Sequence, residues 1–289
     1  MPAVDTEFPV LLLNDLHKTY NPGSQLEVHV LKGVSLAVER GDYVAIMGHS
    51  GSGKSTMLNI LGCLDLPTAG SYLIDGVDVS SLSEAQLADI RNQYLGFVFQ
   101  SFNLVRRTTA LANVELPLVY AGVPRAERRR RAMTALGLVG LEDRAHHQPS
   151  ELSGGQQQRV AIARAICTGP SIILADEPTG NLDSRSTEDV LQIFGRLNAA
   201  GRTIVIITHE DDVSAHAKRV VILEDGRIGN DYRNGPVHGD PPGLVDLTAL
   251  ESEPEEVSIA EEESSEVIPP GPGVSPGVAG PGVSPGVAV

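Results

Sequence analysis

Gly48-His49-Ser50-Gly51-Ser52-Gly53-Lys54-Ser55-Thr56 follows the apolar run Tyr43-Val44-Ala45-Ile46-Met47 and leads into Met57-Leu58-Asn59-Ile60-Leu61. The first run reads as a buried strand and the last as the start of a helix. Strand, glycine-rich turn and helix form the context in which G-x-x-x-x-G-K-[ST] is a phosphate-binding loop. Glycines let backbone N–H groups converge on an anion without Cβ interference. The helix behind adds its positive end and its unpaired N–H groups. Lys54 is expected to reach the β- and γ-phosphates, and Ser55 to offer its hydroxyl to Mg²⁺. This stretch predicts a site for a nucleoside triphosphate.

Outward from the loop, composition narrows the class. No window approaches the ~18 apolar residues of a membrane span. The acidic stretch before Phe8 to Leu13 contradicts a basic leader, so a cytoplasmic protein is expected. Cys63 and Cys167 are far apart, each in a predicted helix, and read as buried reduced thiols. No metal-ligand spacing appears. Of the net charge of −15, ten acidic residues without any Lys or Arg fall after Asn234, which leaves −5 on the rest. An acidic body with no basic stripe argues against nucleic acid as a partner.

Upstream, Val10-Leu11-Leu12-Leu13, Val28 to Leu31 and Val34 to Val38 read as strands, with a turn at Arg40-Gly41-Asp42. Downstream, Ser71 to Asp75 is a short strand, Ser83 to Gln93 has helical spacing, and Leu95 to Gln100 is a strand ending in a polar residue. From Ser101 to about Gly140 the pattern turns helical, broken at Pro117 and Pro124. Arg125 and Arg128 to Arg131 read as the solvated face of an amphipathic helix. Leu152-Ser153-Gly154-Gly155-Gln156 then opens another helix, a second anion-binding terminus with a Ser cap. Ser171 to Ala175 is an apolar strand ending in Asp176-Glu177-Pro178, and adjacent carboxylates at such a strand end sit where open α/β sheets keep their chemistry. After the turn Gly180-Asn181-Leu182-Asp183 and a helix over Thr187 to Leu197, the strand Thr203 to Thr208 delivers His209 to its own end. Arg219 to Ile228 closes the body as a hairpin. Alternating helices and doubly apolar strands imply a mostly parallel sheet. Beyond Asn234 the chain is acidic, then rich in Pro, Gly and Val, with GPGVSPGVA repeated at Gly271 and Gly280; disorder is expected there.

These motifs, in this order, resemble the ATP-binding subunit of an ATP-binding-cassette (ABC) transporter over roughly Leu11 to Gly229. LSGGQ carries the resemblance, together with GHSGSGKST, the strand ending in Gln100, ILADEP and His209. Finer features are similar to the MacB/LolD/FtsE branch: GCLDLPTAG, GFVFQSFNL, NVELPLVYAG, LSGGQQQRVAIARA and ADEPTGNLD. The resemblance implies an α/β fold with a RecA-like phosphate-loop NTPase core, a mostly parallel sheet, an N-terminal antiparallel β subdomain and an inserted helical subdomain. It divides the chain into an ATP-binding domain over 1–234, with the helical subdomain near 101–158, and a tail over 235–289.

The resemblance also implies roles. Tyr20 matches the aromatic that stacks on adenine, and Gly48 through Thr56 the phosphate loop, with His49 where proline is common. Gln100 matches the residue that contacts Mg²⁺ and the attacking water and senses the permease. Asp176 matches the carboxylate that holds Mg²⁺ through water, Glu177 the general base, and His209 the switch that contacts the γ-phosphate and orients Glu177. Ser153, Gly154, Gly155 and Gln156 match the signature that closes over the γ-phosphate of an opposite subunit. Asp183 matches the aspartate that crosses the dimer interface, and Asn181 stands where alanine is common. The implied function is an ATP-hydrolysing subunit that binds ATP and Mg²⁺ as a head-to-tail homodimer. It would power a separate permease of the MacB/FtsX type from the cytoplasmic face of the plasma membrane. The alternative is a soluble ABC ATPase acting on DNA or ribosomes, which the acidic body and the lack of a coiled-coil insertion disfavour.

Overall fold

The computed structural model describes residues 9–235 together with Leu247 and Leu250. The strands are β1 (Leu11–Tyr20), β2 (Val28–Val38), β3 (Tyr43–Met47), β4 (Ala69–Ile74), β5 (Val77–Asp78), β6 (Leu95–Phe99), β7 (Ile172–Asp176), β8 (Thr203–Ile207), β9 (Arg219–Glu224) and β10 (Arg227–Arg233). The helices are α1 (Lys54–Leu61), α2 (Glu84–Gln93), α3 (Ala110–Tyr120), α4 (Arg125–Leu138), α5 (Gly154–Ile166), α6 (Ser184–Ala199) and α7 (Asp211–Ala215). The central sheet runs β10-β9-β3-β8-β7-β6, parallel throughout except for β10, which returns antiparallel on β9. A second, antiparallel sheet has the order β2-β1-β4-β5.

The alternation of side chains along a strand divides the core into two layers. Tyr43, Ala45, Ile173, Ala175, Ile204 and Ile206 face α3, α4, α5 and α6. Val44, Ile46, Ile172, Leu174, Val205 and Ile207 face α1 and the antiparallel sheet. Both faces of β3, β7 and β8 are buried, which is why their sequences are apolar without alternation. Each of these Ile or Leu side chains contributes about 1.5–3 kcal/mol by leaving water.

Several expectations need correction. Residues 28–31 and 34–38 form one strand, because Gly33 at φ 82° lets β2 stay paired with β1 past Asp15. Residues 101–109 are not helical; Phe102 and Asn103 have positive φ, and α3 begins only at Ala110, capped by Thr109. Pro117 does not break α3, since Val114 and Leu118 on its buried face hold the helix in the core through the lost hydrogen bond. The break falls at Ala121 to Pro124. Arg125, Arg129 and Arg130 are exposed as expected, but Arg131 is buried against Glu127 and Arg128 donates to Val123 O. Cys63 and Cys167 are buried and reduced, yet each lies just beyond a helix rather than inside it.

Leu247 and Leu250 belong to the first core layer, against Ile166, Pro170, Ile173 and Leu197. The acidic stretch and the nine-residue repeat lie outside the described residues. Among the described residues, no helix is long and apolar enough to cross a membrane.

Candidate functional site

Register sets the site. Phe99 pairs with Asp176, Asp176 with Ile207, and Ile207 with Ile46, so β6, β7, β8 and β3 end along one edge. The residues that follow each strand therefore meet: Gln100, Glu177, His209 and the loop from Gly48. With Val30 of β2 they surround an open cavity of about 800 Å³.

The loop is shaped by close approach. A Cβ on Gly48 would lie 2.2 Å from Leu223 O, so only glycine lets the chain pass β9. Gly53 takes a left-handed conformation as the N-cap of α1 and has no side chain to offer. Ser83, Thr109, Ser153 and Asp183 cap α2, α3, α5 and α6 through side-chain oxygens, whereas the first N–H groups of α1 are left to an anion. Lys54, nearly buried, donates from Nζ to Gly48 O at 2.7 Å and His49 O at 3.0 Å, arching over the loop. Ser50, Gly51, Ser55 and Thr56 line the cavity with Gly48, His49, Gly53 and Lys54. Ser52 does not: it is buried beneath the loop, where its carbonyl accepts from Gly226 N–H.

Across the cavity, Asp176 is half-buried. Burial raises its carboxyl above the usual aspartate range, and the Glu177 charge adds to this while Lys54 opposes it. Glu177 sits at φ 42°, a costly conformation for a residue with a Cβ. Its backbone is held there by bonds from its N–H to Ile207 O and from Gly180 N–H to its own carbonyl. Its Oε1 is 2.9 Å from His209 Nδ1. Gln100 packs against Gly180, and its carbonyl accepts from Asn181 Nδ2 at 3.0 Å.

Other expected residues stand outside this cavity. Ser153 and Gln156 form a reciprocal capping box at the start of α5, with Ser153 exposed. Gly155 leaves no room for a Cβ against Ser186. Asp183 caps α6, and the bonds from Ser186 hold its carboxyl below the usual range. Tyr20 is on the antiparallel sheet opposite Val28, two residues from the cavity-lining Val30. Val30 carried no signal of its own in the sequence, because only the β1–β2 register brings it beside the loop.

The donors present suit a phosphate-bound hard cation. Ser55 and Gln100 offer neutral oxygens and Asp176 a carboxylate on the same cavity as the loop. Mg²⁺ is commonly held this way, by one or two carboxylates with phosphates and water.

The family model of the ABC transporter matches residues 31–180, more than half of the chain. The chain belongs to the ABC transporter family. This ABC cassette is 54% identical over 231 residues to an uncharacterized ABC transporter ATP-binding protein of Thermotoga maritima, covering 80% of the chain and 98% of the relative. It is 52% identical over 230 residues to the macrolide export ATP-binding/permease protein MacB of Brucella melitensis. That match covers 80% of the chain but only 35% of MacB. Its fold is similar to a dimeric cassette in a post-hydrolysis state bound to ADP and Pi, with a TM-score of 0.71 and 46% identity over 77% of this chain and 98% of that one. The protein is the ATP-binding subunit of an ABC transporter, with the phosphate-loop cassette fold, and cassettes of this kind bind ATP, form dimers and pair with membrane permeases. The relatives are transporter proteins, and the DNA or ribosome alternative is set aside.

Proposed function

We propose that this cassette hydrolyses ATP to ADP and phosphate at the cavity between its phosphate loop and Glu177, as a head-to-tail homodimer coupled to a permease of the MacB/FtsX type. The observation that carries this reading is the 2.9 Å contact of His209 with Glu177, facing a loop whose helix end and Lys54 are set for phosphate.

Phosphoryl transfer to water depends on in-line positioning and on neutralising spreading charge. Gly48 through Thr56 wrap the phosphates with backbone N–H groups, and Lys54 exchanges its bonds to Gly48 O and His49 O for the β- and γ-phosphate oxygens. Glu177 polarises the attacking water as general base, and His209 orients Glu177 and contacts the γ-phosphate. Ser55 and Asp176, with Gln100, would hold Mg²⁺, which would supply positive charge to the phosphate oxygens. Tyr20 stacks on the base. Ser153, Gly154, Gly155 and Gln156 lie outside their own cavity, which fits a role in completing the site of the second subunit; Asp183 crosses the same interface. The region from Gln100 to Leu104 meets the permease at the cytoplasmic face of the membrane, and the ATP-binding domain, expected to end at 234, also takes in Leu247 and Leu250.

The experiment is ATP turnover of the full chain beside Glu177→Gln, with size-exclusion chromatography in Mg·ATP. General-base catalysis contributes ~10²–10⁴-fold, so the variant should bind ATP, lose at least a hundredfold in turnover, and elute as a dimer. Wild-type turnover in the variant would remove Glu177 from the mechanism.

A further inference from the structure

A second constellation lies at the far end of α1 and takes no part in the phosphate cavity. Lys18, two residues before Tyr20 near the end of β1, is 9% exposed. Its Nζ donates to Asp65 Oδ1 at 2.5 Å and to Leu66 O at 2.8 Å. The second oxygen of Asp65 accepts from the Tyr20 hydroxyl at 3.0 Å, and Lys18 Nζ stands over the Tyr20 ring, 4.9 Å from its centroid. The phenol is thus fixed at its hydroxyl and covered by an ammonium on one face, while the residue as a whole stays 36% exposed.

We propose that the Lys18–Asp65 ion pair is a positioning device for base recognition, holding the Tyr20 ring ready to stack on the purine of a nucleotide whose phosphates rest on the Gly48–Thr56 loop. This rests on the reading of Tyr20 given under the proposed function. An exposed tyrosine at a strand end would otherwise lose rotamer freedom on meeting its ligand, and ordering it beforehand removes that cost from binding. Stability alone does not account for the pair, since an ion pair whose carboxylate is partly exposed contributes little. Burial by itself would push the Asp65 carboxyl up, but the bonds from Lys18, Tyr20 and Leu66 N–H carry it below the usual range, so it stays ionised as an acceptor for both partners. Location adds to the argument. The helix that presents its N–H groups to the phosphates at Lys54 ends four residues before Asp65. One rigid rod of about 12 Å therefore sets the separation of cradle and ring.

The test compares binding of ADP and of inorganic pyrophosphate to the full chain by calorimetry, since pyrophosphate has no base. Tyr20→Ala should weaken ADP about tenfold, the scale of base–aromatic stacking, and leave pyrophosphate unchanged. Tyr20→Phe keeps the ring and the ion pair but loses the hydroxyl; Asp65→Asn weakens the anchor itself. Each should weaken ADP about threefold, the share of one side chain's ordering, without effect on pyrophosphate. In the Tyr20→Ala background, Asp65→Asn should add nothing. If Tyr20→Ala weakens ADP while Tyr20→Phe and Asp65→Asn bind it like wild type, the positioning role is wrong and the stacking role stands. Wild-type ADP affinity in Tyr20→Ala removes the stacking role and this inference with it. Equal losses for ADP and pyrophosphate in Asp65→Asn would make the pair a support of the fold rather than of the ring.

Discussion

Replacing Glu177 by glycine and by alanine gives two proteins whose relative stability reports on the backbone beneath the proposed general base. Both remove the carboxylate and its contact with His209, so those losses cancel in the comparison. What differs is the conformation at φ 42°. Alanine retains the left-handed penalty of ~1–2 kcal/mol, which glycine escapes. Glycine in turn adds freedom to the unfolded chain, worth about 0.4–1 kcal/mol against it. The glycine variant should therefore be the more stable by about 0.5–1 kcal/mol, the reverse of the order at ordinary positions. For a domain of this size that corresponds to a melting point higher by roughly 1–4 °C. Differential scanning calorimetry of the two purified variants, without nucleotide, measures it. An alanine variant that melts above the glycine variant would mean that position 177 is not held in the left-handed region, and the claim of backbone strain under the Glu177 carboxylate would fall.

Two further outcomes follow from burial. Burial pushes the thiols of Cys63 and Cys167 up to about 12, so a disulfide reagent should leave both unmodified in the folded protein from pH 7 to pH 9 and label both in denaturant. Rapid labelling of the native protein would contradict their packing. Leu250→Ala removes a side chain with no exposed surface from the first core layer. A loss of about 2–4 kcal/mol is expected in urea unfolding, whereas an unchanged midpoint would detach that residue from the core.

The parts of the site legible in the sequence were those fixed by local chemistry. The phosphate loop is a continuous run between a strand and a helix, and the carboxylates and His209 directly follow apolar strands, so strand ends alone located them. What the sequence did not reveal depends on pairing between distant segments. Val30 reaches the cavity through the register of β2 on β1, and Asn181 meets Gln100 only because β6 and β7 are adjacent. The Lys18–Asp65 pair joins residues 47 apart. Local rules also misled where packing overrode them. Proline predicts a break at Pro117, but the buried face of α3 tolerates it. Residues 101–109 carry helical spacing yet follow the edge strand into a loop whose backbone Arg164 of α5 holds at Phe102 O and Asn103 O.

The open end of α1 has a consequence for how the protein lives between catalytic cycles. Where α2, α3, α5 and α6 carry their own side-chain stopper, this one borrows it from the solution. A phosphate group on those amides completes the secondary structure as well as filling a site, and folding becomes linked to the ligand by mass action. A hundredfold excess of nucleotide over its dissociation constant raises stability by ~2.7 kcal/mol. The resting subunit is then most at risk from heat and proteases when nucleotide runs low, so its survival is tied to the energy supply that it consumes.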